Sequence, residues 1–456
     1  MERNTVVLLT VVFLAASGGM AQSTNTAAVP RVGQSRIVLD GGADFRFRDE
    51  LKDHMPGTGV TAKPSENVFR FRSRVWGAAS YEDYTVYGRV AHAFRYYTMR
   101  TGKNNNGFST YEFPDEAFID ALYVDAKNLL NDRVDLRVGR QELKYGDGRI
   151  ISDGSPGDGS RSTYFDAVKA TYHVTDKTAL DAFGVYMDDY DHLAVGPGNR
   201  ALETANGYTD NKDSGAGLYL NVGELKEFPF EVYYVWENET HTHNIGKKEY
   251  GRDFHTVGTR LLPKFTDRFS GELESAVQMG KTDDGRDIFA YMEYAGLTYQ
   301  LAPDSPLKPY VTPAFLYLSG DKHPNSGEDN NWNPVFNRTT WLSVLMADQY
   351  KNYAWSNLIY PNVGGGVTIF GDQKLRGYTG PVFVAEDNQG ALNGEGEETY
   401  KGYLTFVRYE APLIKGLFGK RGDLSHAVQF EIFEPGDYYE TDTTAFFLRY
   451  ELKAKF

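Results

Sequence analysis

Residues 68–77 limit the fold more than any other stretch. Odd positions carry Phe69, Phe71, Ser73 and Val75, and even positions carry Arg70, Arg72 and Arg74. A β-strand sends successive side chains to opposite faces, so three guanidiniums share one face and mostly apolar groups the other. The preceding segment does the same, with Ala43, Phe45 and Phe47 set against Asp44, Arg46 and Arg48. A soluble sheet buries its apolar face in a dry core and leaves its charges in water. A transmembrane barrel turns the apolar face to lipid and the charges to a water-filled lumen.

The N-terminus favours the second arrangement. Arg3, an apolar run over Val6–Ala16 and the small residues around Gly19-Met20-Ala21 form a secretory signal peptide, 1–21, followed by a polar leader, 22–35. No later stretch holds the roughly 18 to 20 consecutive apolar residues that a spanning helix needs. The mean hydropathy of −0.49 agrees with strands that are only half apolar. Alternation continues over 36–456 without a linker, so one barrel domain is expected where a soluble chain of 456 residues would divide. Aromatic residues make up 14%, enough to supply the girdles at both membrane interfaces. A net charge of −14 without a basic block argues against a nucleic-acid partner.

Eighteen strands are expected, at 36–49, 67–80, 83–99, 116–127, 133–143, 163–174, 178–189, 214–222, 229–240, 252–262, 268–280, 287–301, 308–319, 357–370, 373–386, 400–413, 424–435 and 443–456. Connections after odd-numbered strands are mostly long and polar, and those after even-numbered strands mostly short. An all-β transmembrane antiparallel up-and-down barrel has this asymmetry, with long extracellular loops and short periplasmic turns. Two connections break the rule: 281–286 is short for an outer loop and 412–423 long for an inner turn, which leaves one strand pair open to reassignment. The closing strand places Phe446, Leu448, Tyr450, Leu452 and the terminal Phe456 on one parity, and a terminal aromatic on the lipid row resembles the C-terminal signal of bacterial outer-membrane barrels that their assembly machinery reads.

Four motifs resemble the alginate export family of outer-membrane porins. They are Leu136-Arg137-Val138-Gly139-Arg140-Gln141-Glu142-Leu143 with Tyr164-Phe165-Asp166-Ala167-Val168-Lys169; His255-Thr256-Val257-Gly258-Thr259-Arg260; Tyr317-Leu318-Ser319-Gly320-Asp321 with Asn333-Pro334-Val335-Phe336; and Phe433-Glu434-Pro435-Gly436-Asp437-Tyr438. The resemblance implies an eighteen-stranded monomeric barrel in the outer membrane of a Gram-negative-type bacterium, with an arginine-lined, anion-selective lumen. Two departures from the family pattern stand out: residues 144–162 are rich in Gly and Asp, and Lys169 takes a position where arginine is usual.

A pore for a polyuronate needs fixed positive charge spaced along its lumen, weak enough locally to release each unit. Arginine suits this because its planar fork matches a carboxylate and keeps its charge. Parity assigns Arg46, Arg48, Arg70, Arg72, Arg74, Arg137, Arg260 and Arg449 to inward rows, joined by Arg89, Arg95 and Lys169. Arg140 has the opposite parity to Arg137, so one of the two lies at a rim or a bulge intervenes. Each of these cations is also a candidate brace for acids such as Asp44, Asp120, Glu272 and Glu274.

Other signals are thinner. Asp153, Asp158, Asp188, Asp189 and Asp191 lack EF-hand spacing for Ca2+, and His241 and His243 beside Glu239 fit a polar loop better than zinc. Residues 320–356, the longest loop, carry Trp332, Phe336, Trp341 and Trp355 and read either as a surface cap or as a gate folded into the mouth. Scattered histidines and the lack of a G-x-S-x-G motif argue against an enzyme, and no cofactor is implied. The expected function is a channel for an anionic polysaccharide, with a general or small-solute porin on the same barrel as the alternative. The expected partners are that anionic solute, outer-membrane lipid, the assembly machinery and periplasmic export components.

Overall fold

A computed structural model describes residues 36–54, 65–100, 111–112, 117–152, 164–188, 193–195, 212–240, 251–323, 326–337, 342–349, 355–387, 399–417, 422–439 and 442–456. The expected signal peptide and leader lie outside the described residues, as do Asp153, Asp158, Asp189, Asp191, His241, His243 and Trp341. The described chain is almost wholly β. Eighteen long strands follow one another: β1 Val38–Asp53, β2 Glu66–Tyr81, β3 Tyr84–Arg100, β4 Ala117–Asn128, β5 Val134–Gln141, β6 Phe165–His173, β7 Thr178–Met187, β8 Asp213–Val222, β9 Phe230–Glu239, β10 Arg252–Leu261, β11 Phe269–Thr282, β12 Asp287–Gln300, β13 Tyr310–Leu318, β14 Leu358–Ile369, β15 Gln373–Phe383, β16 Tyr400–Gly416, β17 Gly422–Pro435 and β18 Ala445–Lys455.

Each strand pairs antiparallel with its sequence neighbours, and β1 pairs antiparallel with β18 from Asp44↔Lys455 to Asp53↔Phe446. The sheet therefore closes into an eighteen-stranded antiparallel barrel with no free edge. All eighteen expected strands are present, with ends shifted by a few residues; β1, for instance, runs on to Asp53. Both suspect connections stand, so no strand pair is reassigned. The tight outer turn between β11 and β12 is closed by Thr282 and Arg286, which exchange backbone and hydroxyl hydrogen bonds around Gly285 at φ 92°. The inner connection between β16 and β17 follows a register shift at Pro412/Ile414.

The outward face is apolar around the circumference. Val75, Val90, Leu122, Val138, Val168, Leu218, Val257, Leu273, Leu297 and Val363 are all exposed. A soluble monomer rarely exposes more than a few hundred Å2 of contiguous apolar surface, so this belt faces lipid. Exposed Tyr186 and Tyr291 mark its long-loop end, with half-buried Tyr317 beside them, and Tyr81, Tyr84, Phe265 and Tyr299 its short-turn end. The Tyr291 and Tyr317 rings stack at 5.1 Å.

Candidate functional site: a charged and partly filled lumen

The inward face of β1 and β2 follows directly from their alternation. Across that pair, Arg46 faces Arg72, Arg48 faces Arg70 and Asp44 faces Arg74. On the other side of β1, Arg46 faces Lys453, Arg48 faces Glu451 and Glu50 faces Arg449. The rows extend outward through Arg70↔Arg95, Gln429↔Arg449, Arg408↔Gln429 and Arg376↔Arg408. A wall from β15 round to β3 is therefore densely cationic.

A few acids hold this wall together. Glu50 lies 2.8 Å from Arg449, 3.0 Å from Arg70 and 3.7 Å from Arg48. Glu451 binds Arg48 and lies 2.7 Å from Lys453 and 3.3 Å from Arg408. Asp44 takes Arg74 at 2.8 Å and Arg72 at 3.6 Å, and Asp120 takes Arg89 at 2.6 Å. Further along, Arg95 pairs with Glu112 at 3.2 Å. Arg137 grips Asp125 at 2.6 Å and lies 4.0 Å over the Tyr123 ring. Arg46, Arg48, Arg72 and Arg449 are buried, whereas the Arg95 and Arg137 side chains keep 20% and 33% exposure.

The facing wall is acidic. Glu231, Glu272 and Glu274 come from β9 and β11, and Arg260 spans them at 3.1 Å from Glu231 and 2.8 Å from Glu272. Lys169 lies 3.0 Å from Asp181, which also accepts from the Tyr145 hydroxyl. Arg140 is in register with exposed Leu122 and with Asp166 at the outer end of β5. It binds Asp166 through two nitrogens at 2.9 and 3.0 Å and stacks 3.8 Å over Tyr164. That is a rim position, the first of the two alternatives the parity left open.

Two outer loops fold into the lumen. From residues 142–152, Arg149 reaches across to Glu272 at 2.7 Å and Glu274 at 2.6 Å, with its guanidinium 3.6 Å over Tyr294. Burial opposes its charge, but the two carboxylates hold its pKa above the ordinary value. From residues 319–357, Trp332, Val335, Phe336, Val344, Leu345, Met346 and Trp355 are buried in one cluster with inward residues of β6 to β18. Phe336–Asn337 pairs in parallel with Ile151–Ser152, so the two loops join. Three polar clasps fix them. Asn333 exchanges two hydrogen bonds with Gln278 at 2.7 and 2.9 Å. Its Nδ2 donates to Glu239 at 3.1 Å. Glu431 accepts from Ser343 Oγ at 2.6 Å and from the amides of Val344 and Leu345 at 3.1 and 3.0 Å, at the start of the short helix Val344–Gln349. The long loop is thus an inserted element rather than a cap.

Alternation missed several cations. Lys374, Arg376, Arg408 and Lys453 lie on inward parities and were open to the same reasoning as Arg449. Arg149 carried no periodic signal, because it reaches the lumen on an irregular loop.

A closed barrel with an apolar belt outside and charged walls inside is an outer-membrane channel of the porin type. A profile of the family described as alginate export matches residues 38–397, and the chain belongs to that family. None of the curated proteins matches it. Solved structures with the same fold include OccAB2 of Acinetobacter baumannii (8% identity, TM-score 0.58, 91% of this chain and 98% of that one). They also include OccK8 (OprE) of Pseudomonas aeruginosa (10%, 0.57, 91% and 98%) and OccD3 (OpdP) of the same organism (8%, 0.55, 91% and 91%).

Proposed function

We propose that the channel passes a carboxylated solute of the polyuronate class along its basic wall. The observation that carries this reading is the run of inward cations from Arg376 through Arg408, Arg449, Arg48 and Arg70 to Arg95, across seven adjoining strands in which only β17 places a neutral residue, Gln429, in the row. Carboxylates moving past such a wall exchange guanidinium partners without leaving a favourable potential. The pathway cations in this reading are those of β1–β3 and β15–β18 with Arg137 of β5, among them Arg46, Arg72, Arg74 and Arg89. Arg260 and Lys169 act as braces on the acidic side, and Arg140 as a rim brace. Family membership supports alginate as the polymer.

One observation favours a smaller cargo. The inserted loops pack a dry cluster against β6 to β18, which narrows the water-accessible section and suits single organic acids or sugars. Single-channel recording in a planar bilayer separates the two readings. Anion-selective current blocked by oligomannuronate supports the polyuronate conduit. Anion current blocked by small carboxylates but indifferent to oligomannuronate supports the small-solute porin instead.

A further inference from the structure

At the short-turn end of the basic wall, β15 to β18 line an open cavity of about 330 Å3. Its origin is local. The β16–β17 register shifts at Pro412/Ile414, and the small side chains of Ala427 and Ser425 line the space between longer neighbours. Lys374, Arg408 and Lys453 line it, facing Glu410 and Glu451.

These charges are unequally committed. Arg408 is held by Glu410 at 2.5 Å and by Glu451 at 3.3 Å, and Lys453 by Glu451 at 2.7 Å. Lys374 is exposed and makes no ion pair among the described residues, although Glu410 is its cross-strand partner. Two residues along the same row, the Arg376 side chain is 58% exposed and lies 3.9 Å from Glu410. The pocket therefore offers Lys374 with spare capacity, next to a half-open carboxylate and the Ser425 hydroxyl, and Arg376 lies beside it on the same row outside the lining.

We propose that this cavity is a subsite for one sugar-acid unit, the first that a cargo meets on the periplasmic side. The sugar carboxylate pairs with Lys374 and Arg376, while its hydroxyls donate to Glu410 and exchange hydrogen bonds with Ser425. A fatty-acid carboxylate brings no hydroxyls to Glu410 and Ser425, whereas a sugar acid brings several, so the mixed lining favours a polyhydroxylated acid. The inference rests on the carboxylated-cargo reading above and adds a location, a ligand class and a side of the membrane.

The test uses full-length channels of known orientation in a planar bilayer, with oligomannuronate or monomeric glucuronate added to one side at a time. In a Lys374→Gln/Arg376→Gln double variant, the association rate of block from the short-turn side is expected to fall about tenfold, as electrostatic capture is lost. Block from the long-loop side is expected to stay unchanged. Both residues are exposed, so the variant should fold, and heat-modifiable migration on a gel checks that it does. Longer block by the oligomer than by the monomer identifies a chain unit as the ligand; equal block identifies a free sugar acid, and either supports the subsite. Wild-type block that the variant leaves unaltered, or reduces equally from both sides, overturns the subsite alone. A wild-type channel that neither ligand blocks overturns the carboxylated-cargo reading and the subsite with it.

Discussion

Nε of Arg449, on the last strand, donates to Glu50 of the first strand at 2.8 Å, across the seam that closes the barrel. The same carboxylate lies 3.0 Å from Arg70 and 3.7 Å from Arg48, which Glu451 also binds, so three guanidiniums converge on one buried acid. Removing one partner of a buried ionic group leaves uncompensated charge, and costs about 3–5 kcal/mol. Glu50→Gln is therefore expected to lower the temperature at which the barrel loses its compact gel mobility. An unchanged transition would mean that the seam cations are satisfied without Glu50.

Gln278 holds the inserted loop by an exchanged pair of hydrogen bonds to the Asn333 backbone. In Gln278→Ala both Asn333 groups lose a buried partner, at about 1–3 kcal/mol each. The expected result is intermittent withdrawal of residues 319–357. It would be read as added conductance substates and as protease cleavage within that loop from the long-loop side. Silent current and an intact loop would show that the apolar cluster alone retains it.

How much of this was legible in the sequence differs by element. The strands and their lumen faces follow from period-two alternation, which is why Arg46, Arg72 and Arg449 face inward where parity puts them. The filling of the lumen does not follow. Arg149 and Trp332 reach it on segments with no period, steered by partners more than 50 residues away such as Glu272 and Gln278. Parity assigns a face; it does not say whether water or another loop covers that face. The same limit explains why Arg46 reads as a pathway residue and yet is buried to 3% exposure.

Selectivity should respond most to the cations that keep solvent contact. Arg95 and Arg137 retain more exposure than Arg46, Arg48 or Arg72. Arg95→Glu and Arg137→Glu are each expected to shift the reversal potential in a salt gradient toward cations. Because the Arg137 side chain keeps 33% exposure against 20% for Arg95, its reversal should have the larger effect. A reversal potential that neither substitution moves would place the ion path elsewhere.

Gly258 links the wall to the inserted loop through a ring. It lies on β10 opposite Tyr233, and a Cβ there would fall 2.4 Å from the Tyr233 ring. The Tyr233 hydroxyl donates to Glu274 at 3.0 Å, and Glu274 also receives Arg149. Gly258→Val therefore forces the ring to swing, at the roughly 1–3 kcal/mol typical of overpacking, and pulls its hydroxyl off the carboxylate that anchors the outer loop. The strand itself tolerates valine, which favours extended backbone. The expected variant is a folded, heat-modifiable barrel with a loosened loop at 142–152, detected as faster proteolysis there and as noisier current. Arg149→Ala should reproduce both effects, and the double variant should add little, since the two substitutions break one connection. Additive losses would mean that Gly258 supports the wall independently of the loop.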